Sequence, residues 1–209
     1  MKIELERVSP MEIEARSFEI ITQELPHPID ETLAPIIKRV IHTTADFDYA
    51  DNLCFSPNVV EKALEAIRSG AVIVTDTTMA MSGINKRTLA KYGGEAVCFI
   101  GDEDVAEQAR LNGTTRAVQA MEKAARLDRP LIFAIGNAPT ALVHIYEMIQ
   151  EGRVAPKLVI GVPVGFVNVV QSKELIMTAD VPYIVARGRK GGSNVAAAIC
   201  NALLYMLGR

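Results

Sequence analysis

The chain has 209 residues, 49% of them apolar and 22% charged, which is enough apolar content for one sizeable core and excludes a disordered chain. A net charge of −3 excludes a global basic field for nucleic acid, so cations matter only where they cluster. No apolar run approaches a membrane span and no signal-peptide core follows Met1, so the expectation is a cytoplasmic protein without membrane contact.

Ser9, Pro10 and Glu12 predict a helix start by capping box, with the helix running to about Glu24. Pro26-His27-Pro28 breaks it and leaves His27 in an exposed loop. A second helix carries Pro35 in its first turn, with a cap near Glu31 or Thr32, and ends between His42 and Asp46. Ile36, Ile37, Val40 and Ile41 share its apolar face. His42 has Lys38 four residues before it and Asp46 four after it, both within reach on a continuing helix. By spacing alone that histidine reads as either a solvated polar face or a proton donor near neutrality.

Ser56-Pro57 starts a further helix and Gly70 stops it. Short apolar runs then recur at 71–75, 96–100, 131–135, 158–162 and 182–186. They are rich in Val and Ile and do not alternate, as expected of strands buried on both faces. Helical segments fall at about 79–92, 103–111, 114–127, 139–151, 166–178 and 194–208. The alternation predicts a three-layer α/β fold: about five strands in a mainly parallel sheet, helices on both faces, and an N-terminal helical segment. The expected organisation is one domain over 1–209, with N-terminal helices over 1–55 and the α/β core over 56–209.

Ligands of such sheets lie beyond the carboxyl ends of the strands. The segments there are 76–78, 101–102, 136–140, 161–165 and 187–194, most of them with glycine. The last holds Arg187, Arg189 and Lys190, then Gly191-Gly192, with Ser193 poised to cap the final helix. Cations, bare amides and a helix start suit an anion, although a flexible solvated loop would read the same way. Arg116 stands in the first turn of a helix capped by Thr114, where a cation opposes the helix dipole; a ligand carboxylate or a surface ion pair would account for it. Asn137 or Ala138 caps the helix that Pro139 opens. His144, among Leu142, Val143, Ile145 and Tyr146, reads as a structural histidine, and Ser17 on its own as a neutral surface residue. Cys54, Cys98 and Cys200 form no CxxC pair, and Cys98 and Cys200 read as buried thiols. No nucleophile triad, carboxylate pair or metal spacing appears. A nucleotide- or phospho-ligand-binding α/β enzyme using the 187–193 loop is the alternative reading, against which the absence of a P-loop and of GxGxxG after the first strand counts.

Six segments in order along the chain, 13–18 (IEARSF), 39–42 (RVIH), 112–116 (NGTTR), 135–142 (IGNAPTAL), 161–167 (GVPVGFV) and 187–193 (RGRKGGS), make the sequence resemble the precorrin-8X methylmutase family, cobalt-precorrin-8 forms included. It departs at Gln171, where the family's usual segment has Glu, and at Ala117, where a serine is often found. The resemblance implies an isomerase of cobalamin biosynthesis that moves a methyl group from carbon 11 to carbon 12 of a corrinoid ring, giving hydrogenobyrinate or cobyrinate. It implies His42 as the catalytic proton or hydrogen-bond donor to a ring nitrogen, Ser17 as a substrate contact, and a homodimer with the site near the subunit interface. It also implies no metal site and no cofactor, any cobalt belonging to the substrate. Arg116, Asn137, Arg187 and Arg189 are the candidate partners for the carboxylate side chains of the ring. A non-catalytic corrinoid carrier is a third reading, against which an intact His42 argues.

Overall fold

The computed structural model describes residues 8, 9 and 12–208. In chain order the elements are α1 (Ile13–Glu24), α2 (Ala34–Thr44), α3 (Tyr49–Asn52), β1 (Leu53–Phe55), α4 (Val59–Arg68), β2 (Val72–Thr75), α5 (Thr78–Gly83), α6 (Lys86–Ala90), β3 (Glu95–Val97), α7 (Glu103–Asn112), α8 (Arg116–Ala124), β4 (Leu131–Ile135), α9 (Pro139–Gln150), β5 (Leu158–Gly161), α10 (Val169–Ile176), β6 (Tyr183–Ala186) and α11 (Ser193–Met206).

The strand order is β1-β6-β5-β4-β2-β3. Five strands run parallel and β1 closes one edge antiparallel to β6. Alternate strand residues feed two cores. Ile73, Ile132, Ala134 and Ile160 pack under α2, α4 and α11, whereas Val72, Val74, Phe133, Ile135 and Val159 pack under α8 and α9. This two-sided burial is why the strands read as unbroken apolar runs. The expected three-layer sheet is present with one strand more than expected. β1 went unread because it is three residues long and only partly buried; its pairing with β6 makes it a strand, not its composition.

Helix boundaries shifted where side chains found other partners. The Ser9 hydroxyl donates to the Glu12 carboxylate at 2.7 Å, so no capping box forms and α1 begins only at Ile13; Pro10 lies outside the described residues. The cap expected at Glu31 or Thr32 is replaced by Asp30, whose Oδ1 accepts from the Thr32 and Leu33 amides ahead of Ala34. α2 ends where Ala45 turns left-handed at φ 53°. Ser56 does not cap α4: its backbone N–H and hydroxyl bond the carbonyl and N–H of Tyr183, extending the β1–β6 edge. The single helix expected over 79–92 is split at Ile84. Asn85 starts the second piece by capping Thr88, while its own N–H donates to Asn201.

α2 runs antiparallel along α11: Pro35, Lys38 and Arg39 share a groove with Ala202, Tyr205 and Met206. Because α11 starts at the carboxyl edge of the sheet, α2 ends there. α1 is clamped to α2 by a two-pronged pair from Arg39 to Glu14, at 3.0 and 3.2 Å. Cys200 is buried and its thiol is pushed up to about 12, whereas Cys98 is only half-buried because β3 is short and lies at the sheet edge. His144 is satisfied by Glu122 at 2.7 Å and Glu147 at 3.2 Å, as a structural histidine should be. No helix among the described residues is long and apolar enough to cross a membrane.

His27 stands exposed, with the Pro28 carbonyl 2.9 Å from Nδ1 and Asp51 2.8 Å from Nε2. Both partners accept, so both ring nitrogens can donate only when the ring is charged. The Pro28 carbonyl first, and Asp51 second, raise its pKa above the ordinary value. Its contribution to stability is therefore complete below the unfolded value of about 6.5 and is lost as pH rises through the higher folded value. NMR titration should find His27 above an unperturbed histidine, and Asp51→Asn should bring it down; an ordinary value in the unmodified protein would remove this account.

Candidate functional site at the carboxyl edge of the sheet

From β2 the chain passes to β3, and from β4 it passes to β5 on the opposite side, with crossover helices on opposite faces. β2 and β4 are therefore the switch point of the sheet, where a ligand crevice is expected. Asp76, just past β2, is 2% exposed. Its carboxylate accepts the N–H groups of Gly136 at 2.9 Å, Asn137 at 2.8 Å and Ala138 at 2.6 Å. Burial pushes this carboxyl above its ordinary value, and the three donors pull against that. The start of α9 is thus filled by the protein's own carboxylate.

Thr77 caps α5 and shares a 2.7 Å hydrogen bond with the Ser193 hydroxyl. Ser193 consequently does not cap α11 as expected; Gly192 takes that position and supplies no side chain. Gly136 packs so closely that a Cβ there would lie 2.7 Å from the Ser193 Cα. The N-terminal amides of α11 thus remain uncapped beside the loop between β5 and α10. Gly192 N–H donates to the Val162 carbonyl and Gly165 N–H to that of Arg189, which joins this loop to the one after β6.

The three expected cations of the 187–193 loop differ in what holds them. Arg187 is paired with Glu174 at 2.8 Å. Lys190 reaches Asp46 at 2.6 Å and Asp48 at 2.5 Å, which lowers the Asp46 pKa and raises that of Lys190. Arg189 has no carboxylate partner among the described residues; its guanidinium lies 5.3 Å over the Phe166 ring. Phe166 and Val167 are each 79% exposed; Val164 on the same loop and Met79 in the first turn of α5 are also large exposed apolar side chains.

His42 is exposed in the last turn of α2, its ring stacked on Phe18 at 5.5 Å and 24°. Asp46 does not turn back to it, because its carboxylate is bound to Lys190. That bond ties the turn after His42 to the glycine-rich loop. Ser17 neighbours Phe18 on α1 and is half-buried, its hydroxyl donating to the Ile13 carbonyl at 2.8 Å. Arg116 opens α8, which Thr115 caps in place of the expected Thr114. A Thr115–Thr140 contact of 3.3 Å sets that start beside the start of α9. Arg116 and Asn137 are exposed there, Arg116 without an ion pair among the described residues. The candidate residues therefore gather along one edge, in three groups joined through Asp46–Lys190, Gly136–Ser193 and Thr115–Thr140. No hydrogen bond or ion pair links the other five candidates to the His42 ring among the described residues. Among the described residues no group of three or more His, Cys, Asp or Glu side chains is placed to hold a metal ion.

The model of the family described as precorrin-8X methylmutase matches residues 12–206. The chain belongs to the precorrin-8X methylmutase family. A cobalt-precorrin-8 methylmutase of Salmonella typhimurium (strain LT2) is 48% identical over 208 residues, covering 95% of this chain and 96% of the relative. One of Priestia megaterium is 47% identical, over 94% and 88% of the two chains. The crystal structure of precorrin-8X methylmutase from Thermus thermophilus superposes with a TM-score of 0.85 at 40% identity, covering 93% of this chain and 96% of that one.

Within this methylmutase fold, three features escaped the sequence reading. Asp76 directly follows a fully buried strand, a position that marks it as a loop anchor. Phe166 stands in a glycine-flanked segment, where an aromatic side chain has no core to enter. Lys173 shares a buried helix face with Val169 and Ile176, a spacing that should have flagged it. The contact at Gly136 gives a direct check. Gly136→Ala should cost about 1–3 kcal/mol by overpacking against the α11 backbone, read as a fall of several degrees in Tm. A Tm within about one degree of the unmodified protein would mean that the two loops are not in contact.

Proposed function

We propose that this chain is the methylmutase acting on precorrin-8X or cobalt-precorrin-8, an isomerase of cobalamin biosynthesis. The reaction moves one methyl group within the corrinoid ring: the bond to carbon 11 breaks as the bond to carbon 12 forms. Substrate and product are isomers, so no external electron, methyl or proton donor is consumed. What such a shift needs is a rigid pocket and one well-placed proton donor at a ring nitrogen.

The observation that carries this reading is the setting of His42. It is open to a ligand, its ring plane is held by Phe18, and its turn is bound through Lys190 to the glycine-rich loop at the carboxyl edge. His42 donates the proton or hydrogen bond that favours the rearranging ring. Phe18 keeps its nitrogens aimed, and Arg39–Glu14 keeps α1, and so Phe18, against α2. Ser17 borders the same face and can turn its hydroxyl to substrate by giving up its bond to Ile13. Arg189, Arg116 and the side-chain amide of Asn137 meet the carboxylates that fringe the ring, and Arg187 joins them if a substrate carboxylate displaces Glu174. Phe166 and Val167 give the apolar face of the ring a place to lie. Those same exposed apolar side chains, with His42 open on one side, support a homodimer in which a second copy completes the cleft. With Arg187 and Lys190 already bound to protein carboxylates, the loop offers no dense cradle for a polyphosphate, so the nucleotide-binding alternative loses its support.

The test is an absorption assay with metal-free and cobalt-bearing substrate. The unmodified protein should convert at least one of them. His42→Ala should lower kcat by about 10²- to 10⁴-fold, with product affinity within about threefold of the parent. Normal turnover by that variant would remove His42 from the chemistry.

A further inference from the structure

Lys173 lies on α10 with Val169 and Ile176 on the same buried face, and it is 0% exposed. Its Nζ donates to the backbone carbonyls of Gly188 and Lys190, each at 2.8 Å. No carboxylate pairs with it among the described residues. A buried ammonium is costly to desolvate, and two neutral carbonyls compensate it less than a carboxylate would. Burial alone pulls its pKa down to about 8. For packing, an unbranched apolar side chain of similar length would serve this core position as well.

What the ammonium holds is the loop. The two carbonyls it grips flank Arg189, the one cation of this loop without a carboxylate partner among the described residues. Gly188, Gly191 and Gly192 have φ of +82°, +158° and +134°, conformations open to glycine that leave this backbone other routes when nothing restrains it. Lys190 restrains the loop from outside through Asp46 and Asp48, while Lys173 restrains it from beneath.

We propose that Lys173 is a positioning residue for the substrate. By gripping the Gly188 and Lys190 carbonyls it fixes the 187–193 loop in the shape that offers Arg189 and the open amides of α11 to a ring carboxylate. This rests on the carboxyl-edge reading of the corrinoid site. The role is in binding and not in the methyl shift.

Lys173→Met keeps the stem and removes the charge. The variant should fold with a Tm within about 5 °C of the parent. Amide exchange of residues 188–192 should quicken by about tenfold or more, with β5 and α9 unchanged. The KM for the corrinoid should rise about tenfold or more while kcat changes by less than about threefold. Unchanged loop exchange, or a fall in kcat at constant KM, overturns the proposal. Failure to fold, or a much larger loss of Tm, makes Lys173 a structural group and overturns it too. Absence of corrinoid binding by the unmodified protein would overturn the site reading itself, and the exchange measurement would still decide whether Lys173 holds the loop.

Discussion

Asp76 would be an expensive group to bury if nothing met its charge. Three successive N–H groups at the head of α9 meet it. That exchange fixes the loop after β4 to the loop after β2, and the rest of the carboxyl edge is built outward from it. Gly136 is then close enough to Ser193 to set where α11 begins, and Thr77 adds a hydroxyl bond to the same residue. Once α11 is placed, α2 has a partner to lie along, and the end of α2 carries His42 to the edge where the glycine loops stand.

The site divides its polar groups between structure and ligand. Asp76, Lys173, Lys190, Asp46 and Asp48 are engaged with the protein, and together they hold three loops and the turn after α2. The side chains of Arg116, Asn137 and Arg189 make no ion pair or side-chain hydrogen bond among the described residues; they are spaced along the edge and not clustered, beside exposed Phe166 and Val167, and in the proposed reading they meet the ligand. Such spacing suits a broad flat molecule with acidic groups at its rim better than a compact anion. His42 stands at one end of this edge, exposed and stacked on Phe18.

Much of this was legible in the residues. Unbroken Val and Ile runs identified the five parallel strands because the inner four are buried on both faces; β3, at the edge, is more exposed and covers only Glu95–Val97 of its expected run. Glycine-bearing segments after the strands located the edge. The pattern was blind where a partner far along the chain decides the structure. β1 exists because β6 pairs with it. Ser56 and Ser193 looked like helix caps, yet their hydroxyls went to Tyr183 and Thr77, far along the chain, and the Ser9 hydroxyl went to the Glu12 side chain in place of a backbone N–H. Asp46 was placed near His42 by helical spacing, but Lys190, 144 residues on, competes for it and forms the bond. The cation cluster at 187–190 was visible, whereas its division into two structural cations and one open arginine depends on Glu174, Asp46 and Asp48 and needed coordinates.

The account turns on where the corrinoid lies. A crystal structure of the protein with bound product decides it most directly. The ring should lie over the carboxyl edge, with one ring nitrogen at about 2.7–3.2 Å from a His42 nitrogen and a side-chain carboxylate on Arg189. A ring bound at the amino edge, or one whose nitrogens lie beyond hydrogen-bond reach of His42, would contradict the account.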